Sequence, residues 1–392
     1  MTKIYHEIRD PIHVFIKLDN DERKVLNSYP FQRLRNIHQL ALSYLVYPGA
    51  THKRFEHSLG VMELAGRVFD VVTNKVAIDN KIGELIPDII EIINDKKKLG
   101  YWRTVLRMAA LCHDLGHLPF SHAAEKDLLP DGWDHELLTI EIIRSEEMKN
   151  IWEGMTPPLR SEDIIKLAVG PKKFKDMKPN NWEAILSEII VGDAFGVDRI
   201  DYLLRDSYHA GVAYGKFDHY RLIDTLRILP MSTSEEHGSK EPALGIEEGG
   251  LHSAEALLLA RYFMYSQIYF HHVRRIYDIH LKDFLIEWLP EGRFPINIEE
   301  LLKITDNEVL AALLAAARIE SAKGHGPARR IVKREHYRKL YEKSPDDIKI
   351  NPEAGMLIYE ALQLKYGNEA LRRDTYTAKD SDIGFPVLRS DG

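Results

Sequence analysis

The 392-residue chain holds one cysteine, Cys112, so no intrachain disulfide can form, and this usage fits a reducing compartment. No apolar run approaches the roughly 18–20 residues that a membrane span requires. The stretch MTKIYHEIRDPIHVF has neither the apolar h-region of a signal peptide nor the Arg- and Ser-rich character of a transit peptide. These absences lead to the expectation of a soluble, cytoplasmic protein with no membrane partner. Positive charge is not in excess either. A formal net charge of −7 argues against a surface built mainly to coat nucleic acid, yet leaves room for a local basic pocket that captures a small anion. Internal repeats and low-complexity tracts are missing. What remains, 44% hydrophobic and 29% charged residues, is ample for a large core.

The patterning is mainly α. Residues 1–20 read as a short hairpin, with Val14, Ile16 and Leu18 alternating. From Asp21 onward the apolar spacing is helical. Thr51 is a plausible N-cap for a long amphipathic stretch that contains RFEHSLGV. A helix is predicted from Trp102 to Leu115, punctuated by Gly116 and Pro119. Further helices are predicted near 134–148, 161–169, 181–192, 197–209, 217–228, 251–287, 307–321, 328–343 and 353–367. Leu226–Pro230 and Ala243–Ile246 flank a polar segment and predict a second hairpin. Segments 170–180 and 230–242 read as loops inside one main domain over 1–300. Residues 301–392 read as a more charged C-terminal subdomain of mixed structure, suited to oligomerisation or regulation.

The chemistry concentrates in ALCHDLGHLPFSH (110–122), where an apolar helix runs into three histidines and an aspartate. Such groups beside a core are costly unless a metal, structural hydrogen bonds or proton-transfer chemistry satisfies them. His113 and Asp114 are adjacent, so on a regular helix they point about 100° apart. They can share an ion only off the helix end, and Gly116 supplies the departure. One imidazole and one carboxylate suit a divalent first-row ion. Two further ligands are then needed, and His57 in RFEHSLGV and Asp198 in GVDRIDYLLRD are available. Cys112 reads as a small buried hydrophobe rather than a ligand.

The order His57, His113-Asp114, Asp198 resembles the metal signature of the HD-domain phosphohydrolases. The blocks FQRLRNIHQL (31–40), YPGATHKRFEHSLGV (47–61), HDLGHLPFSH (113–122), WDHE (133–136) and VDRIDYLLRDSYHAGV (197–212) narrow the resemblance to the dNTP triphosphohydrolases, dGTPase-like enzymes included, over roughly residues 5–285. It implies an HD-domain helical core with metal ligands His57, His113, Asp114 and Asp198. The ion implied is Mn, Fe, Ni, Co, Zn or Mg, with a second Mg on the triphosphate as an option. The implied reaction is hydrolysis of a dNTP to a deoxynucleoside and triphosphate. His117, His122 and His135 fall on non-ligand active-site positions. His122 and His135 rank as acid candidates, His117 as a phosphate contact, and Glu125 or Glu136 as the group that orients one of them. Arg54 and Arg199 match phosphate-binding positions. Tyr202 and Asp206 match deoxyribose contacts, and Gln39 and Leu40 match the pair that packs on the sugar.

Two departures from the family pattern stand out. Ala41 follows Gln39-Leu40 where the family commonly has Gly. Gln267 precedes His271 where it often has Arg, a loss that Arg274 or Arg275 can replace. The aromatic residues of the 251–283 stretch read as core. The basic segment 324–344 admits three readings: a solvated face, an inter-subunit nucleotide effector site, or nucleic-acid contact. The resemblance also implies a homo-oligomer, as a dimer, tetramer or hexamer. Two alternative functions stay open. One is an HD phosphohydrolase for a monophosphate or cyclic nucleotide, and the other is a nucleotide-sensing or nucleic-acid-binding module.

Overall fold

Alternation at the N-terminus produces an antiparallel hairpin, β1 (His6–Asp10) and β2 (Val14–Leu18), with Ile8 opposite Ile16. The computed structural model describes residues 5–74, 80–121, 125–170, 179–232, 240–375 and 384–389. After the hairpin the chain is mainly helical. The elements that build the centre are α1 (Arg54–Asn74), α2 (Lys96–Cys112), α3 (His135–Arg144), α4 (Ser161–Val169), α5 (Asn181–Val191) and α6 (Val197–Ala210). β3 (Leu226–Ser232) and β4 (Lys240–Glu247) form the second hairpin. Then follow α7 (Leu251–Met264), α8 (His272–Trp288), α9 (Asp306–Ala316), α10 (His325–Lys333) and α11 (Ala354–Tyr366). A short β5 (Val387–Leu388) adds in parallel to β4, which makes a mixed three-stranded sheet.

α1 is the central helix. Phe55, Leu59, Met62, Leu64, Val68 and Phe69 are buried around its circumference, as expected of a helix enclosed by its neighbours. α6 crosses it so closely that a Cβ on Gly60 would lie 1.9 Å from Asp201 Oδ1. A second core joins Ala41, Leu118, Phe120 and Leu138 to Tyr277, Leu281, Val309, Leu313 and Ile331. Residues on either side of position 300 therefore share one core as far as Ile331. Among the described residues no helix is long and apolar enough to cross a membrane.

Several boundaries differ from the sequence pattern. α1 starts at Arg54, and the Lys53 amide donates to Glu56 Oε1 at 2.7 Å, so Thr51 is not its cap. α2 stops at Cys112, before His113 rather than at Leu115. The stretch 134–148 breaks at Ser145, whose ψ of 155° separates α3 from a helix over Glu146–Glu153. A helix over His219–Asp224 ends early because Leu226 pairs with Ile246 in the sheet. The long 251–287 helix is two helices separated by a π-turn over Tyr265–Tyr269. Its aromatics are not all core: Tyr262 is 66% exposed and Phe263 40%. α10 ends at Lys333 because Arg334 adopts φ 57°, a left-handed stop, so nothing helical continues to 343. Most of the predicted loops 170–180 and 230–242 lies outside the described residues.

Glu188, near the end of α5, accepts the Leu244 amide of β4 at 3.2 Å. Burial pushes its pKa up to about 7, with Asp193 adding to the rise. A carboxyl group raised from its ordinary 4.5 stabilises the fold fully below that value and loses this contribution as pH rises through 7. Glu188→Gln is therefore expected to flatten the fall in urea midpoint between pH 5 and 7.5 relative to wild type. A difference between the two proteins that does not vary with pH would contradict the assignment. For Gly60→Ala, helix propensity alone favours alanine by about 1 kcal/mol. The clash with Asp201 and Arg205 costs about 1–3 kcal/mol or more. Net destabilisation is expected in a thermal melt, and a stabilised variant would show that α6 can retreat.

Candidate metal centre

The end of α2 fixes the first ligand pair. His113 caps the helix in αR geometry, and tight turns follow, Leu115 N to Cys112 O at 3.1 Å and His117 N to Asp114 O at 3.2 Å. His113 Nδ1 donates to Ala110 O at 2.8 Å. That leaves Nε2 with its lone pair, buried and without a hydrogen-bond partner, 3.3 Å from Asp114 Oδ1 and 3.6 Å from Asp198 Oδ1. His57, one turn into α1, is likewise held through its Nδ1, but its Nε2 has a partner. Its Nδ1 donates to Asp201 Oδ2 at 2.8 Å, and its Nε2 faces Asp198 Oδ1 at 3.0 Å and Asp114 Oδ2 at 3.7 Å. Hydrogen bonding of one ring nitrogen sets the tautomer at the other, as in metal-ligating histidines generally. His57, His113 and Asp114 each offer a ligand atom within 4.8 Å of the others, and Asp198 borders both histidines. Two inward imidazole nitrogens and two carboxylates fit a divalent cation by donor chemistry and by the orphaned His113 Nε2.

Charge in the cluster is balanced by position. Burial works against the Asp114 carboxylate, but Arg54, His113 and His117 outweigh it and hold its pKa well below the usual range. His57 also resists burial: Asp198 and Asp201 raise its pKa to about 10, so protein carboxylates already favour a positive charge here. Burial alone pushes the Cys112 thiol up, in keeping with an inert packing group.

A second group sits beside the first. His117 Nε2 lies 3.1 Å from Asp114 Oδ1, and its ring stacks on His135 with centroids 4.2 Å apart. Glu125 Oε1 accepts from both His135 Nδ1 and the His135 amide at 2.6 Å, so Glu125 is the carboxylate that the structure sets against this ring. Glu136 adds to the field at His135. The two stacked imidazoles are shifted in opposite directions. Burial, Arg54 and His135 push His117 well below its ordinary pKa, whereas Glu125 overcomes burial and raises His135. Gly116 makes the stack possible, since a Cβ there would meet His135 O at 2.1 Å. His122 lies outside the described residues.

The remaining candidates surround this centre unevenly. Arg54, buried, donates to Asp114 Oδ2 and to Ser121 Oγ, the latter at 2.8 Å. Arg199 donates to the carbonyls of Gly192 and Asp193 at the turn before α6. Asp206 is occupied on both oxygens, by His52 Nε2 at 2.7 Å and by the Tyr269 hydroxyl at 2.6 Å. Tyr202 meets Tyr269 edge-on, 6.1 Å between centroids. Leu40 is buried, and Gln39 Oε1 is buried without a partner. Ala41 adopts φ 48°, the left-handed region that explains a family preference for Gly there. Arg274 donates to Ser43 Oγ and Tyr269 O, and Arg275 forks onto Asp374.

Sequence reasoning missed three groups. Asp201 follows Asp198 by three residues on α6, a spacing that places both on one face. Fully buried, it accepts from His57, His13 and Arg205, and Arg205 in turn binds Asp10 of β1. Tyr269 reaches Asp206 because the π-turn redirects it, for which the residue pattern carries no signal. His52 was visible only as part of a block.

Residues 54–206 match the model of the HD domain, and residues 217–356 match that of the HD associated region. An uncharacterized protein of Methanocaldococcus jannaschii is 36% identical over 306 residues, which cover 78% of this chain and 54% of that protein. Human deoxynucleoside triphosphate triphosphohydrolase SAMHD1 is 30% identical over 374 residues, 86% of this chain and 54% of that protein. The chain thus spans about half the length of both. The crystal structure of a hypothetical protein from Aquifex aeolicus superimposes with a TM-score of 0.74 at 32% identity, covering 99% of this chain and 90% of that one.

Asp201→Asn should weaken Mn binding by about 10- to 100-fold, read by calorimetric titration, because it weakens the acceptor that orients His57. Unchanged affinity in a folded variant would remove Asp201 from the account. A chelator should lower the melting temperature of the metal-loaded wild type and leave His113→Ala unaffected.

Proposed function

This chain belongs to the HD-domain family, with its HD-associated region, and on that premise we propose that it is a metal-dependent dNTP triphosphohydrolase. The observation that carries the reading is the pair of imidazoles whose inner nitrogens, fixed by Asp201 and Ala110 O, converge on two carboxylates. The similarity to SAMHD1 supports dNTPs as the substrate class. His57 Nε2, His113 Nε2, Asp114 and Asp198 hold the ion. When bound, a divalent cation supplies Lewis-acid polarisation of a phosphate oxygen and lowers the pKa of bound water.

The other side chains supply binding and proton transfer. Arg54 is released from part of its contact with Asp114 and forks onto phosphate oxygens, which guanidinium does well. His117, held neutral, contacts the polyphosphate. The oxygen of water bonds to the α-phosphorus as the water gives up a proton to solvent, the bond from phosphorus to the 5′-oxygen breaks, and its electron pair leaves with that oxygen. His135, whose basicity Glu125 raises, is the group that delivers the proton there, and His122 is the second acid candidate from the resemblance. Gln39, Leu40, Tyr202 and Asp206 receive the deoxyribose. For Asp206 this means exchanging or sharing the Tyr269 hydroxyl. Arg199 turns from the Gly192 carbonyl to phosphate, where a second Mg, if bound to the triphosphate, would neutralise part of its charge.

We extend the reading to a homo-oligomer acting in the cytoplasm, with a nucleotide effector site in the basic 324–344 segment; nucleic acid is a lesser candidate there. The test is incubation with each dNTP and NTP, singly and mixed, with Mn or Mg. Deoxynucleoside and inorganic triphosphate are the expected products. Orthophosphate alone would sink the reading in favour of a different nucleotide substrate. His113→Ala and Asp114→Ala should each abolish turnover, and activity seen only in mixtures would reveal the effector.

A further inference from the structure

The turn after HDLGH is unusual in its backbone. Phe120 and Ser121 are consecutive non-glycine residues at φ 56° and 57°, in the left-handed region. Each such residue costs roughly 1–2 kcal/mol and persists only where the surroundings impose it. The turn matters because Ser121 Oγ accepts Arg54 Nε at 2.8 Å, while the same guanidinium donates to the metal ligand Asp114. Ser121 also donates to His38 O at 3.0 Å. Something outside the turn must therefore pin it.

That constraint comes from the far end of the chain. Asp306, the first residue of α9 and 1% exposed, accepts the Phe120 amide on Oδ1 at 2.7 Å. Its other oxygen accepts both the His38 amide at 2.7 Å and His38 Nδ1 at 2.6 Å. Lys53 Nζ donates to the remaining His38 nitrogen at 2.6 Å, which fixes the tautomer and ties the start of α1 into the same network. Arg33 runs in parallel, donating to Ile304 O at 3.1 Å and to His117 O at 2.9 Å. The segment Ile304–Asp306 thus grips the His117–Ser121 turn, the His38 turn and the entry to the helix that carries Arg54 and His57.

We infer that Asp306 is a positioning residue for the reaction: by holding Phe120 and Ser121 in left-handed geometry, it fixes the Arg54 guanidinium between Asp114 and the site of the phosphates. The C-terminal region is then a structural component of the centre, since its first buried carboxylate sets the aim of the principal cation. The kinetic side of this inference rests on the proposed hydrolysis, whereas the structural side does not.

Two measurements on the full chain decide it. Hydrogen exchange at residues 118–121 should quicken at least tenfold in Asp306→Ala, with α1 unchanged. Asp306→Asn, which keeps an acceptor for Phe120, should lie between. In kinetics, Asp306→Ala should lower kcat/KM for a dNTP by about a hundredfold, the scale of an ångström of misplacement. In an Arg54→Lys background the same change should cost less than about threefold, because the two residues act as one unit. Mn affinity should stay within about threefold throughout, since the four ligands are untouched. Unchanged exchange, or losses that multiply independently, would overturn the inference. A wild type that hydrolyses no dNTP sinks the functional proposal, and the exchange measurement then decides this one alone.

Discussion

The carboxylate of Asp201 is the point on which the centre depends. It is fully buried, and an isolated buried charge would be prohibitive. Here it accepts His13 from the N-terminal hairpin, His57 from α1 and two nitrogens of Arg205 from one turn further along α6. Burial alone would raise its pKa, but Arg205, His13 and His57 hold it far below the usual range. The same interaction that satisfies the charge also decides which nitrogen of His57 faces the carboxylates. Stability and chemistry therefore share one network, and Gly60 is its steric condition, since any side chain there would occupy the place of the Asp201 oxygen.

Around that anchor the polar groups are arranged by charge rather than merely collected. The ligand cluster is rich in carboxylate and draws positive charge. Arg54 and His113 face it, and the stacked His117 and His135 stand next to it in opposite protonation preferences. Two imidazoles at 4.2 Å do not both carry charge without a counter-ion, and Glu125 gives it to one of them. The wall of Asp206, His52, Tyr202 and Tyr269 is built differently: both Asp206 oxygens already accept, from His52 and from the Tyr269 hydroxyl. A ligand that reaches Asp206 exchanges bonds instead of filling unmet ones.

Much of this was legible in the residues. A helical chain with two hairpins follows from alternation and apolar spacing, and the ordered blocks around His57, His113-Asp114 and Asp198 single out a candidate ligand set before any fold is known. Local rules failed where a neighbour overrode them. The 251–287 helix is interrupted by the π-turn that brings Tyr269 to Asp206, and the helix before β3 is cut short because Leu226 is claimed by the sheet. Thr51 has the chemistry of a cap, but the backbone pairing of His38 with Lys53 delays the helix to Arg54.

Residue type and spacing alone specify the groups: which side chains can bind a cation, carry a proton or grip a phosphate, and roughly which helix bears each. That information is local, set by residue type and short spacing. Only the tertiary structure decided which nitrogen of each histidine turns inward, that Glu125 rather than Glu136 is hydrogen-bonded to His135, and that Asp201 and Asp306 hold the arrangement. His113 to Ala110 is the one local bond among these; the others join residues 10 to 186 positions apart. Their geometry exists only once the helices have packed, because a donor's direction is fixed by the neighbour that accepts from it.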